Sequence, residues 1–330
     1  MTNKLAQVEN SASEKLTGSK EKEDNIFKHP LLVPLMAIFA CILWGSAFPA
    51  LKTGYHRFGI AADDIFTKML FAGYRFLLAA IFLFVFQLLT GSKNSLHLKR
   101  SQLKFILFLG LIQTTLQYFF FYNGLAHTTG VKGSILNTIG IFFTVIVSHF
   151  IYQNDKINYQ KIIGLIIGLV GVVLVNLSKG SFNFEFKLTG EGFIIFSALA
   201  SSIATIMVKN SREKIEIIAL TAYQMFVGAI FLIVLALTKV SPFTLQFNPG
   251  SIMLLLYLAF ISAAGFGLWY VLIKNNSLGY ISIYRFMIPV SGTILSAIFL
   301  ADERLSFNTF IALGLVSAAI IVINLGKQSN

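Results

Sequence analysis

Charged residues are scarce in this chain: Asp, Glu, Lys and Arg make up 12% of its 330 residues. Soluble domains carry about 25%, so the composition is that of an integral membrane protein. Cysteine is almost missing. The one copy, Cys41, lies inside an apolar run, which excludes a disulfide framework and reads as a small core residue. The five histidines are scattered, so neither a metal site nor any other cofactor is expected. No Gly-x4-Gly-Lys-Ser/Thr run occurs, which excludes ATP hydrolysis by a P-loop. Alternation of period two is missing, which excludes a β-barrel. Acidic residues are missing from the apolar runs: Asp155, Glu191 and Glu303 stand only at their ends. A buried carboxylate relay for protons therefore has no candidate. For want of paired acid and base residues, an enzyme is not expected.

What is present is apolar sequence in long pieces. A helix needs about 20 apolar residues to cross a bilayer. Ten runs meet that length, at 31–52, 69–89, 103–124, 131–152, 160–178, 190–208, 216–238, 251–273, 281–300 and 306–325. The formal charge of +12 would suit nucleic acid, but its placement points to a lipid bilayer instead. With the N-terminus inside, sixteen Lys and Arg fall in cytoplasmic segments and eight in outer ones. That bias predicts cytoplasmic termini, by the positive-inside rule. Residues 1–28 mix lysines with glutamates and cannot bury a core, so a disordered cytoplasmic tail is expected there. No short apolar region opens the chain, so no cleavable signal peptide is expected.

The chain repeats itself. Laid without a gap over Tyr270 to Leu325, the stretch Tyr122 to Leu177 matches Tyr122 to Tyr270, Ser134-Ile135 to Ser282-Ile283, and Ser148 to Ser296. Both stretches are two apolar spans parted by a charge dip, Asp155-Lys156 or Glu303-Arg304, and both close on Asn-Leu. This predicts an internal duplication. Five spans per unit is odd, so the second unit enters the membrane from the other side. The expected fold is an all-α polytopic membrane protein, with ten transmembrane helices as two inverted five-helix repeats. The repeats occupy 29–178 and 190–326, joined by a linker at 179–189.

Polar residues inside spans carry the functional signal, because each costs about 2–3 kcal/mol if it faces lipid. Ser134, Asn137, Ile141, Thr144 and Ser148 form one helical stripe, and Ser282, Arg285, Pro289, Gly292 and Ser296 stand at the aligned places. Both stripes read as cavity lining, or as interhelical hydrogen bonding alone. Arg285 is an anion-pairing group, or it snorkels to the headgroups. Arg75 is a buried structural pairing or part of an outer gate. Gln113 and Gln117 lie one turn apart, and Trp269 stands near Ser262 and Gly265. The tyrosines beside them, Tyr122 and Tyr270, read as an interfacial belt. His149 falls off the stripe and is expected to pack on a neighbouring helix. Small residues around Trp44, Ser46 and Pro49, and the counterpart around Ser201, suit close helix packing or cavity lining. Gly164 and Gly168 make a Gly-x3-Gly face for a helix contact, and a possible homodimer.

Leu43-Trp44-Gly45-Ser46, Tyr74-Arg75-Phe76-Leu77, Met287-Ile288-Pro289-Val290 and Ala301-Asp302-Glu303-Arg304-Leu305 together resemble the drug/metabolite transporter superfamily, EamA-type branch, over about residues 31–325. The resemblance implies a ten-helix carrier of the cytoplasmic membrane with a central cavity between inverted halves. It implies a small-molecule substrate, amino acids or similar metabolites, taken outward by alternating access. The candidate substrate-binding residues are then Trp44, Ser46, Gln113, Gln117, Asn137, Ser201, Trp269, Ser282, Arg285 and Pro289. Pro49, Arg75, Asp155 and Glu303 are candidates for structure or gating. The first half departs from the second, with Ile141 in place of Pro289 and Asp155 in place of Glu303. A sugar-phosphate or nucleotide-sugar exchanger, and a channel or signalling membrane protein, stand as alternatives.

Overall fold

The computed structural model describes residues 26–61, 63–91, 96–128, 130–177, 186–211, 215–301 and 305–328. Among them, ten helices are long and apolar enough to cross a bilayer. They are α1 (Leu32–Arg57), α2 (Ile65–Thr90), α3 (Arg100–Ala126), α4 (Gly133–Ile151), α5 (Tyr159–Asn176), α6 (Leu188–Asn210), α7 (Ile217–Leu237), α8 (Pro249–Asn275), α9 (Leu278–Phe299) and α10 (Phe307–Leu325). No strand occurs among the described residues. Hydrocarbon offers the backbone no partners, so each spanning segment bonds its own N–H and C=O groups. Large apolar side chains such as Leu35, Leu89, Phe150 and Phe299 are exposed around the outside, where lipid is their solvent. Of the expected features, Glu303, most of the tail and residues 179–185 of the linker lie outside the described residues.

Local chemistry sets where helices begin. Asp64 caps α2, its Oδ1 accepting from the backbone N–H of Thr67 at 2.9 Å. The α2 helix therefore starts before the apolar run itself. At α8, Asn248 and Ser251 exchange side chain-to-backbone hydrogen bonds at 2.9 and 2.8 Å ahead of Pro249.

The principal packing pairs are α2 with α7 and α8, α3 with α6 and α7, α5 with α10, α1 with α8 and α9, α4 with α6, and α4 with α9. Replacing every helix by the one five places along the chain returns the same set of pairs. The α3–α7 contact is tight because glycine permits it: a Cβ on Gly228 would lie 2.3 Å from Thr114 Cβ. Thr114 Oγ1 donates to Gln224 Oε1 at 2.9 Å, and Thr115 Oγ1 to the Gly228 carbonyl at 3.2 Å. At that contact α3 widens into a π turn, Leu111–Leu116. The glycine face of α5 is occupied within the chain: Gly164 meets Ile323 of α10, and Gly168 meets the Phe286 ring of α9. That face is an internal helix contact, not a surface left for a second copy.

Two helices are interrupted at aligned places. In α9 the turn tightens to 3-10 over Tyr284–Phe286, just ahead of Pro289, which offers no N–H to the carbonyl of Arg285. In α4 a turn at Thr138 separates Gly130–Asn137 from Ile139–Ile151. No proline stands there; Thr138 Oγ1 instead donates to the Ile135 carbonyl at 2.6 Å. The difference between Ile141 and Pro289 thus leaves the shape of the two helices alike.

Candidate functional site

A cavity of about 360 Å³ lies in the middle of the bundle, walled by α1, α2, α3, α4, α6, α8 and α9. On α1 the wall is Trp44, Ala47, Phe48, Leu51, Lys52 and Tyr55, the i, i+3, i+4, i+7, i+8, i+11 pattern of one helical face. On α3 it is Gln113, Gln117, Tyr118, Phe121, Tyr122 and Leu125. Exposed Lys52 and Leu125 mark one end of the cavity. Arg285, Thr205 and Trp269 line it towards the other.

Of the ten candidate binding residues, seven line the cavity: Trp44, Gln113, Gln117, Asn137, Ser201, Trp269 and Arg285. Three do not. Ser46 stands two residues from Trp44, about 200° around the helix. Its Oγ donates to the Leu43 carbonyl at 2.7 Å and accepts from Tyr257 Oη at 2.8 Å. Ser282 is buried with its Oγ on the Leu278 carbonyl at 2.7 Å. Pro289 gives its place to Ile288, three residues on from Arg285, as the tighter 3-10 turn shifts the stripe. Lower in the α4 stripe, Thr144 and Ser148 turn their hydroxyls back on the carbonyls of Gly140 and Thr144.

Arg75, expected in a structural pairing or an outer gate, lies in the cavity wall. It is 3% exposed, its Nε donates to Ser262 Oγ at 2.7 Å, and its guanidinium lies 5.1 Å from the Phe76 ring centre. Arg285 also lies in the cavity wall, with Nη2 3.4 Å from Ser201 Oγ. Pro49 is buried within α1 and does not line the cavity.

The aromatic residues form a box rather than a belt. Trp44 packs on Phe266 at 5.1 Å and on Trp269 at 5.3 Å between ring centres, and Tyr118 packs on Phe76 at 4.6 Å. Tyr122 and Tyr270, read from sequence as interfacial, are buried in the cavity wall, as is Trp269. Trp269 meets the Trp44 ring of α1, while Tyr122 and Tyr270 pack on rings of their own helices, Tyr118 and Phe266. Gly265 makes the box possible: a Cβ there would stand 2.7 Å from Trp44 Nε1. Trp44 Nε1, Gln113 Oε1 and Tyr270 Oη are buried without a hydrogen-bond partner. Buried polar atoms in native structures normally have partners, so these are points where a bound molecule would gain bonds.

Beyond Arg285 the helix ends are tied together. Asp155 takes Lys161 Nζ at 2.6 Å, Ser277 Oγ at 2.8 Å and the backbone N–H of Gly279 at 2.7 Å. Lys209 Nζ donates to the Asn276 carbonyl at 2.6 Å, and Lys274 Nζ to that of Ser211 at 2.6 Å. Tyr280, Tyr284 and Asn324 form a further hydrogen-bonded cluster. Tyr152 donates to Asn210 Oδ1 at 2.6 Å. Burial, with the Asp155 carboxylate adding to it, pushes the Tyr152 hydroxyl up to about 12, while the Asn210 bond pulls the other way. His149 belongs to this end also. Its Nδ1 accepts from the Ile157 backbone N–H at 2.9 Å, so it fastens the turn after α4.

Lys52, Tyr55, Arg75, Thr205 and Ile288 also line the cavity and were not singled out as binding residues from sequence, whereas Phe266 was read beside Trp269 as part of a pocket wall. The signal existed for Thr205, four residues after Ser201, and for Tyr55, at the end of the stripe that starts at Trp44. Ile288 carried none.

Residues 31–177 and 188–325 each match the model of the EamA-like transporter family. An uncharacterized transporter of Archaeoglobus fulgidus is 28% identical over 89% of this chain and 97% of its own length. The uncharacterized transporter YvbV of Bacillus subtilis is 26% identical over 88% and 90%. A solved crystal structure superposes with a TM-score of 0.74 at 15% identity, covering 88% of this chain and 96% of that one, a likeness of fold.

Proposed function

We propose, from the premise that this chain belongs to the EamA-like transporter family, that it carries small carboxylated metabolites, amino acids and related compounds, out of the cytoplasm. That the protein is a multi-pass membrane transporter follows from the family and its ten spans. The substrate and the direction are our reading. The observation that carries it is Arg285, a cation deep in a membrane cavity with Ser201 beside it and aromatic faces around it. A guanidinium grips a carboxylate with two parallel hydrogen bonds. Rings with a few convergent polar groups suit a small organic molecule.

Alternating access fits the asymmetry of the two ends. The cavity is lined to exposed residues at the Lys52 end, while the Asp155 end is bolted by hydrogen bonds. With both termini cytoplasmic, the bolted end is the inner one. The family matches to 31–177 and 188–325 and the exchangeable packing pairs support two inverted halves, the usual machinery for such a switch. A sugar-phosphate type of exchanger gains support from one observation, the second guanidinium of Arg75 in the same wall.

Purified protein in proteoliposomes tests the reading. Substrate uptake should saturate, and preloading the same substrate on the far side should accelerate it, because the site must reorient between faces. Ohmic currents across a planar bilayer, with no counterflow for any metabolite, would establish a channel instead.

A further inference from the structure

We propose that the cavity selects substrates carrying two acidic groups, one for Arg75 and one for Arg285. The inference rests on the reading of this cavity as the transport site and names what it takes.

Both guanidiniums line the same cavity, held by different serines on different helices: Arg75 by Ser262 of α8, Arg285 by Ser201 of α6. The Ser262 bond uses one of five N–H donors on Arg75. Among the described residues no carboxylate pairs with either arginine, and none lines the cavity. Asp155 is taken by Lys161, Ser277 and Gly279. A cation removed from water without a partner is costly, and in a membrane interior such groups are paired. While the cavity is open, water meets that need. When it closes around cargo, the cargo must.

The charge of the cargo follows. A neutral amino acid brings one carboxylate and one ammonium, which satisfies one guanidinium and adds a cation that no lining carboxylate receives. A monocarboxylate leaves one guanidinium bare. A dicarboxylate, or a phosphorylated carboxylate, answers both with charge-assisted hydrogen bonds. The aromatic box around Trp44 then holds the short carbon body between the acids.

Counterflow in proteoliposomes decides the matter, with succinate, 3-phosphoglycerate, lactate and alanine as probes. Succinate, 3-phosphoglycerate or both should exchange at least tenfold faster than lactate and alanine, and whichever moves identifies the second acid. Arg75→Gln should cut that advantage over lactate to less than about threefold. Arg75→Lys, which keeps the charge, should retain part of it and serves where the glutamine variant does not fold. Alanine or lactate exchanging as fast as the two-acid probes overturns the proposal and leaves the carrier reading standing. No counterflow of any of these probes by folded, monodisperse protein also overturns the proposal, while counterflow of another metabolite leaves the carrier reading standing.

Discussion

The carboxylate of Asp155, between α4 and α5, accepts the backbone N–H of Gly279 at the start of α9, at 2.7 Å. A side chain of the first half thus holds the first turn of the helix that carries Arg285. Asp155 and Lys161 are both largely buried and pair at 2.6 Å. Breaking one side of a buried pair costs about 3–5 kcal/mol. Asp155→Asn should therefore loosen the bolted end. With Cys41 replaced and a cysteine at Thr205, labelling by an impermeant thiol reagent from the cytoplasmic face should rise several-fold over the parent. Unchanged labelling from that face would mean that Asp155 braces the fold and does not gate.

Arg285→Lys separates a bidentate site from a simple charge. Lysine keeps the charge and offers no planar fork. Losing a charge-assisted bond of about 1.5–3 kcal/mol weakens binding roughly 10- to 150-fold. The half-saturation concentration should rise at least tenfold with expression unchanged. Ser201→Ala, which removes only the 3.4 Å contact, should have a smaller effect. A lysine variant that transports like the parent would place Arg285 outside the binding site.

Gly265→Ala probes the aromatic box. The new methyl would meet Trp44 Nε1 at 2.7 Å, so the indole must move into the cavity or the helices must part. Overpacking of this kind costs about 1–3 kcal/mol. Transport should fall while the protein stays folded, and Trp44→Phe, a smaller ring, should restore part of it in the double variant. A double variant no better than Gly265→Ala would locate the damage elsewhere on α8.

Orientation is checked with two exposed positions, both in a background without Cys41. A cysteine replacing Ser241 should label from outside intact cells, and one replacing His97 only after permeabilisation. The reverse pattern would invert the assignment of the bolted end.

Much of this architecture was legible in the sequence because hydrocarbon imposes simple rules. Length and hydropathy marked all ten spans, and the shared Tyr122/Tyr270 and Asn137/Arg285 positions pointed to paired elements that do meet the cavity. What periodicity does not carry is rotation of a helix about its axis. Ser46 was placed with Trp44 by nearness in sequence, and the helix turned it to Tyr257. Ser282 and Pro289 were placed with Arg285 by an ideal 3.6-residue step, and the 3-10 turn moved that step to Ile288. The tyrosines were read as a belt because single-sequence hydropathy cannot tell a ring facing headgroups from one facing another helix. Arg75 was read as a buried structural pairing or a gate, and it is buried on Ser262; that it also lines the cavity was not legible, because its partner helix α8 lies far along the chain.

If the cavity alternates as proposed, the two guanidiniums, which pair with no carboxylate among the described residues, would also make the empty carrier a voltage sensor. Water in an open cavity brings the potential of the open side to Arg75 and Arg285. Closing the Lys52 end and opening the Asp155 end hands both charges to the other potential without moving them. Each such charge is worth up to about 2.3 kcal/mol per 100 mV. A membrane negative inside therefore draws the empty site to face the cytoplasm. The proposed substrate, with two negative charges, would cancel the bias, so that the loaded carrier would turn outward without working against the field.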